Sequence, residues 1–487
     1  MRWWKPPAAS PPGHDKQART SVWTAGTAER EDVGPLVPQR TKRPEEKTMI
    51  RLPLLTTALA IGLTATAHAE TTLTVLMIEG LDKGSMEAVA AAYMAKQREV
   101  KVEIQSLPWN QFFQVSEMRL KSADAAVDLI YTDAPVVASY AANGYILPFD
   151  AAVADEAKAK LVGPSVATGT YDGKLYSLPM NSSAQVLYYN VDLLKAAGIT
   201  PPSGLTKDSA TKPDAIVKLA GEERWTFEQV AEAAKAVSGD EGGKAKPWGF
   251  AFEQFGELYQ LQPLGGSLGG ELISADAKTA DGYLNGDAWT KAASWWSDLF
   301  NKDNVSPRSL GFGEAAQMFT NGQLAMFVGG TWNVPAVAGS SINFGIAPHP
   351  KFAEGKASTP TGSWYLSVTK ASPDAAAAAD FAKFAALSDE GTDVWFKTLN
   401  QLPVTNRLLD QINSDPAYDA FPASVMRLSA WESRNTAAAR PVTVAFSQLQ
   451  DAFRTAFTDI ANGVPVDEAL GTAVDAYDQA AARLNRK

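Results

Sequence analysis

Three short apolar strand-like runs, with a helical stretch between each pair, follow one another within about sixty residues of Thr71, and this alternation narrows the fold more than any other feature. Thr71 to Met77 (TTLTVLM) is a β-branched, apolar run suited to a buried strand. Ser85 caps a helix whose Met86, Val89 and Tyr93 fall at helical spacing. Val100 to Ile104 alternates as a second strand, Trp109 to Leu120 reads as a helix, and Val127 to Tyr131 reads as a third strand. Such a succession predicts an α/β fold with a parallel sheet covered by helices. A chain of 487 residues exceeds a single core, so two domains or two lobes are expected. Further on, Thr226 with Gln229 forms a capping box ahead of Phe227, Val230, Ala234 and Val237, and Leu324 to Val328 forms a strand running into Gly329-Gly330.

Upstream of this core, Met49 to Ala69 has the form of a secretory signal. A single Arg precedes an apolar run from Leu52 to Leu63, and Ala67-His68-Ala69 gives the small-x-small cleavage pattern. The run is about a dozen residues, short of the roughly 20 that cross a bilayer. Residues 1–48, rich in Pro, Arg and Thr, would bury that signal inside the chain, so they are read as a disordered extension from an upstream start. Residues 1–69 hold ten Lys/Arg and six Asp/Glu, which leaves 34 basic and 48 acidic residues and a net charge near −14. That surface repels phosphate backbones, and nucleic acid is excluded as an expected partner.

Missing residue types remove whole classes of chemistry. With no cysteine, thiol nucleophiles, thiolate zinc sites and a lipoprotein anchor at the cleavage site are all excluded, and the mature chain is expected to be free in the periplasm. Of His14, His68 and His349, only the last lies beyond the signal, and its setting Pro348-His349-Pro350 suits a surface or hinge-lining residue better than a triad. Gly265-Gly266-Ser267-Leu268-Gly269 matches a nucleophile-elbow pattern, but without a strand before it the segment is read as a glycine-rich loop. No phosphate-binding motif, cofactor or metal site is expected, and no catalytic residue is assigned.

Tyr171-Asp172-Gly173-Lys174-Leu175-Tyr176-Ser177-Leu178-Pro179 followed by Gln185 to Asn190 resembles the best-kept stretch of the family 1 extracellular solute-binding proteins, the sugar-binding, maltose-binding-protein-like components of ABC importers. Gly144-Tyr145-Ile146-Leu147-Pro148-Phe149-Asp150 is similar to the family's G-x-L-x-P-x-D segment, with the Leu one place late. Asn321-Gly322, Ala325-Met326 and Gly329-Gly330-Thr331-Trp332 resemble a later passage, and Arg440-Pro441 with Gly463 to Leu470 resembles the closing one. The resemblance covers nearly all of 70–487. It implies the two-lobed periplasmic binding protein fold of type II, each lobe a sheet flanked by helices, joined by a hinge that the chain crosses several times. The expected lobes are 70–180 with 347–405, and 181–346 with 406–487. Crossings are placed near Pro179-Met180, near Ala347-Pro348, and between Leu402 and Pro422. It also implies a monomer that carries a small-molecule ligand to inner-membrane ABC permease subunits.

A sugar offers apolar C–H faces and a rim of hydroxyls, so its site needs flat rings and polar groups able to donate or accept. Trp332 just past Gly329-Gly330 and Trp364 just past Gly362 are the expected stacking residues, the glycines letting backbone approach the ligand. Trp109 is divided between stacking and core packing, while Trp295, Trp296 and Trp395 lie on core stripes. Expected polar contacts are Asp133 at the end of the third strand, Asn181 beside the first hinge crossing, Glu79 after the first strand, and Arg440. An alternative has Asp133 and Arg440 bind each other across the closed cleft. Two other readings stay open at this point: a receptor of the same fold for a polyol, polyamine or peptide, and a secreted glycosidase using a carboxylate pair.

Overall fold

The computed structural model describes residues 71–487 apart from 239, 242, 243, 246, 363, 400 and 485–487, so the expected signal 49–69 and the tract 1–48 lie outside the described residues. In chain order the strands that build the two main sheets and the link between them are β1 (Thr71–Ile78), β2 (Val100–Leu107), β3 (Leu129–Asp133), β4 (Leu178–Pro179), β5 (Gln185–Asn190) and β6 (Leu205–Thr206). They continue with β7 (Trp248–Phe252), β8 (Leu324–Gly330), β9 (Phe344–Pro348), β10 (Thr359–Thr361), β11 (Trp364–Val368) and β12 (Ala437–Ala439).

The first sheet runs β2-β1-β3-β11-β4 and the second β7-β8-β5-β9-β6. Strands β1, β2 and β3 pair in parallel, because the helices Leu81–Lys96 and Trp109–Lys121 carry the chain back between them. The late strand β11 then adds antiparallel to β3, bringing Trp364 opposite Asp133. Each sheet has its own buried core. Val75, Val102, Ile130 and Phe381 pack in the first lobe, and Phe250, Trp289, Trp296 and Phe457 in the second. Trp296 and Trp395 are buried and Trp295 packs against the core of the second lobe.

The chain leaves the first sheet at Pro179 and joins the second at Gln185. Its return does not fall near Ala347-Pro348. There β9 remains paired to β5 through Pro348, and Phe352 is buried in the second lobe. A strand can carry Pro at its margin, where the missing N–H is not needed, so this proline ends a strand without marking a crossing. The chain reaches the first sheet again only at Trp364, after β10 has paired in parallel with β12. Strand β10 is tied to the second lobe by a buried knot: Thr359 Oγ1 donates to Glu432 Oε2 at 3.0 Å, and Glu432 pairs with Arg224 at 2.9 Å.

Two motifs are placed otherwise than expected. Gly265 to Ser267 end the helix Leu258–Ser267 instead of forming a loop, since a Cβ on Gly265 would lie 2.3 Å from the Trp289 ring. Ser267 Oγ is occupied, donating to Lys356 O and accepting from Phe352 N. His349 is neither on the surface nor at the hinge. It is buried edge-on to Phe227, and desolvation lowers its pKa to about 3.

Candidate functional site

Because β11 runs antiparallel to β3, Tyr131 and Trp364 are diagonal neighbours on one face of the first sheet, and their rings stack with centroids 4.8 Å apart and planes 9° apart. The Tyr131 hydroxyl donates to Asp82 Oδ1 at 3.0 Å. Burial pushes the Asp82 carboxyl up to about 6, against the opposing hydrogen bonds from Tyr131 and its own backbone. The amide N–H of Trp364 donates to Asn181 Oδ1 at 3.2 Å, and Asn181 Nδ2 donates to Gln401. Asn181 is therefore buried as a brace behind Trp364.

Trp109 opens its helix directly after Pro108 and remains 44% exposed. Its ring meets Trp364 edge-on at 6.0 Å and lies flat against Phe312 of the second lobe at 5.5 Å, with planes 11° apart. Phe312 is 54% exposed, so this is a contact between two lobes at the mouth and not core packing.

In the second lobe, Glu253 follows β7 and is fully buried. Its carboxylate accepts from Gly330 N at 3.0 Å and from Trp332 Nε1 at 2.9 Å. Burial raises the Glu253 pKa, while bonds from Asn333, Trp332 and Gly330 oppose the rise. Held in this way, Trp332 faces Phe312 and Tyr259, each at 6.4 Å. The Tyr259 ring lies 5.1 Å from the guanidinium carbon of Arg440. Arg440 in turn grips Asp133 with two bonds, at 2.8 and 2.6 Å.

Seven groups thus close a circuit across the two lobes: Trp364, Trp109, Phe312, Trp332, Tyr259, Arg440 and Asp133. The structure brings together five of the expected site residues, Trp109, Trp332, Trp364, Asp133 and Arg440, and the last two form the mutual pair given as their alternative. Asn181 lies one step behind the circuit. Glu79 is exposed after β1 and its side chain joins none of these contacts. Phe312, Tyr259, Tyr131, Glu253 and Asp82 are additions. Only Phe312 carried a usable signal, as an aromatic between Gly311 and Gly313, the same cue that singled out Trp332 and Trp364.

The glycines serve a different purpose from the one expected. A Cβ on Gly330 would fall 2.1 Å from the ring of Trp332, and one on Gly362 would fall 2.7 Å from the Tyr259 ring and 3.0 Å from Arg440. They make room for the site's own side chains. Gly362→Ala is accordingly expected to cost roughly 2 kcal/mol by overpacking and to lower Tm by a few degrees in thermal unfolding. An unchanged Tm would mean that Tyr259 and Arg440 are free to move aside.

The sequence profile described as bacterial extracellular solute-binding protein matches residues 80–392, more than half of the chain. The chain belongs to that family. This solute-binding protein is similar to the galactooligosaccharide-binding protein of Bacillus subtilis (strain 168), at 24% identity over 282 residues, 56% of this chain and 58% of that one. It is also similar to the maltodextrin-binding protein of the same organism, at 25% identity over 241 residues, 48% of this chain and 51% of that one. The matched stretches span about half the length of these relatives. In fold, it is similar to the GacH receptor of Streptomyces glaucescens GLA.O, with a TM-score of 0.69 and 21% identity over 85% of this chain and 99% of that one. The two-lobed architecture is therefore that of the periplasmic binding proteins. Among the described residues no helix is long and apolar enough to cross a membrane.

Proposed function

We propose that this protein captures a carbohydrate, a mono- or oligosaccharide, between its lobes in the periplasm and hands it unchanged to the permease of an ABC importer, acting as a monomer and without catalytic turnover. The observation that carries the reading is the circuit of rings, with Trp364 backed by Tyr131 on one lobe and Trp332 held by Glu253 on the other. Flat apolar faces opposed across a cleft suit the C–H faces of a sugar, and the Asp133–Arg440 pair beside them offers oxygens and N–H groups to its hydroxyls. In this assignment Trp332 and Trp364 stack on the ligand, Trp109 and Phe312 guard the mouth, Asn181 positions Trp364, and Glu79 is a rim contact. The names of the two Bacillus relatives, which bind a galactooligosaccharide and a maltodextrin, support the ligand class, as does the crystallisation of the GacH receptor with acarbose.

A thermal-shift screen against mono-, di- and trisaccharides and polyols tests the reading, since a bound ligand stabilises by RT ln(1 + [L]/Kd). For a saccharide that raises Tm, Trp332→Ala is expected to raise Kd about thirtyfold, or roughly 2 kcal/mol. If no saccharide shifts the transition, or if the variant binds as the parent does, the proposal fails.

A further inference from the structure

We propose that the first lobe holds a second ligand site, distinct from the cleft, that takes a small amphipathic carboxylate such as a medium-chain fatty acid anion. The cavity has a volume of about 350 Å³, at the small end of the range for small-molecule pockets. It lies between the C-terminal half of the helix Trp109–Lys121 and the turn at Gly144-Tyr145, and no residue of the ring circuit lines it.

Its inner wall is apolar. Leu76 of β1 and Ile130 of β3 come from the sheet, and Leu120 and Val127 close the sides, all four of them buried. Interiors normally fill such space, since lining atoms without neighbours forgo dispersion contacts. One polar group interrupts the wall. Ser116 is 1% exposed, and its hydroxyl has no hydrogen-bond partner, although buried hydroxyls are nearly always satisfied.

The rim is cationic in a chain whose net charge is −10. Arg119 and Asp124 at the rim neutralise each other, with Nε 2.7 Å from Oδ2, and Lys121 pairs with Glu117 at 2.6 Å. Lys370 makes no ion pair among the described residues. Its ammonium reaches over the turn, 3.9 Å from where a Cβ of Gly144 would be. An apolar body therefore meets the inner wall while a single negative charge meets Lys370, the pattern of an amphipathic anion and not of a sugar, whose hydroxyls would find only Ser116.

The test is titration of the whole protein with decanoate and, separately, with decanol, by calorimetry and by amide hydrogen exchange. Decanoate is expected to bind at one site, to protect amides around 116–124 and 143–146, and to leave those around Trp332 and Trp364 unchanged. Lys370→Glu, a surface change, is expected to weaken decanoate at least tenfold and to leave decanol as it was. Ser116→Leu is expected to fill the cavity and abolish both. Absence of binding at millimolar decanoate, equal weakening of decanoate and decanol by Lys370→Glu, or protection centred on Trp332 and Trp364 would each overturn the proposal. The outcome is independent of whether a sugar binds the cleft.

Discussion

Arg440→Met is expected to destabilise the protein by about 3 kcal/mol, because it removes one half of a buried, doubly bonded ion pair. The side chain of Arg440 is 7% exposed and that of Asp133 is 16% exposed. With the cation gone, the Asp133 carboxylate loses both of its charge-assisted bonds where little water can replace them. The residual exposure of Asp133 places the loss at the lower end of what broken buried pairs cost. Urea unfolding measures it, and a cycle through Asp133→Asn and the double variant isolates the pair. The double variant should lose less than the two single losses together, since neither charge is then stranded. A single variant within 1 kcal/mol of the parent would mean that the pair contributes little despite its geometry.

Asp82→Asn is expected to do the opposite and raise stability at neutral pH. Burial lifts this carboxyl from the ordinary 3.8 to about 6, so between those values the folded chain binds the proton more tightly than the unfolded chain does. The associated stability is complete below about pH 4 and is lost as pH rises toward 6. Above that, the folded state carries a charge it would rather not have, at a cost of about 3 kcal/mol. An amide keeps an oxygen for the Tyr131 hydroxyl without the charge. Urea midpoints from pH 4 to 8 should therefore converge at the acid end and separate by up to about 3 kcal/mol at pH 7, with Asp82→Asn the more stable. A variant no more stable than the parent at pH 7 would show that solvent or the helix start relieves the buried charge. The parent should keep some of its slope in any case, because burial also raises Glu253.

What sequence patterning revealed, and what it hid, follows from the range over which each signal acts. The strands β1 to β3 and the helices between them were legible because period-two and period-3.6 patterns are local, and the parallel sheet follows from their alternation. The position of β11 was not legible. Nothing within Trp364–Val368 says that it adds antiparallel to β3, more than two hundred residues earlier, and that pairing is what sets Trp364 beside Tyr131. The same limit applies to Glu253. As an isolated acidic residue after a strand it resembles dozens of others, and it acquires its role only when β8 brings Gly330 and Trp332 against it. Asp133 and Arg440 were chosen for their chain positions, each for the ligand it might contact, and their bond to each other had been set down as the alternative. The misplaced crossing at Pro348 has the same origin, since a proline marks a local break but not which sheet the chain joins next.

The flat contact between Trp109 and Phe312 gives the resting protein a guest of its own making. Whatever enters must slide between two rings already satisfied with each other, trading one face for another instead of wetting bare surface. Capture then releases little extra free energy at the threshold, and discrimination shifts inward, toward the indoles that two buried acids keep in line.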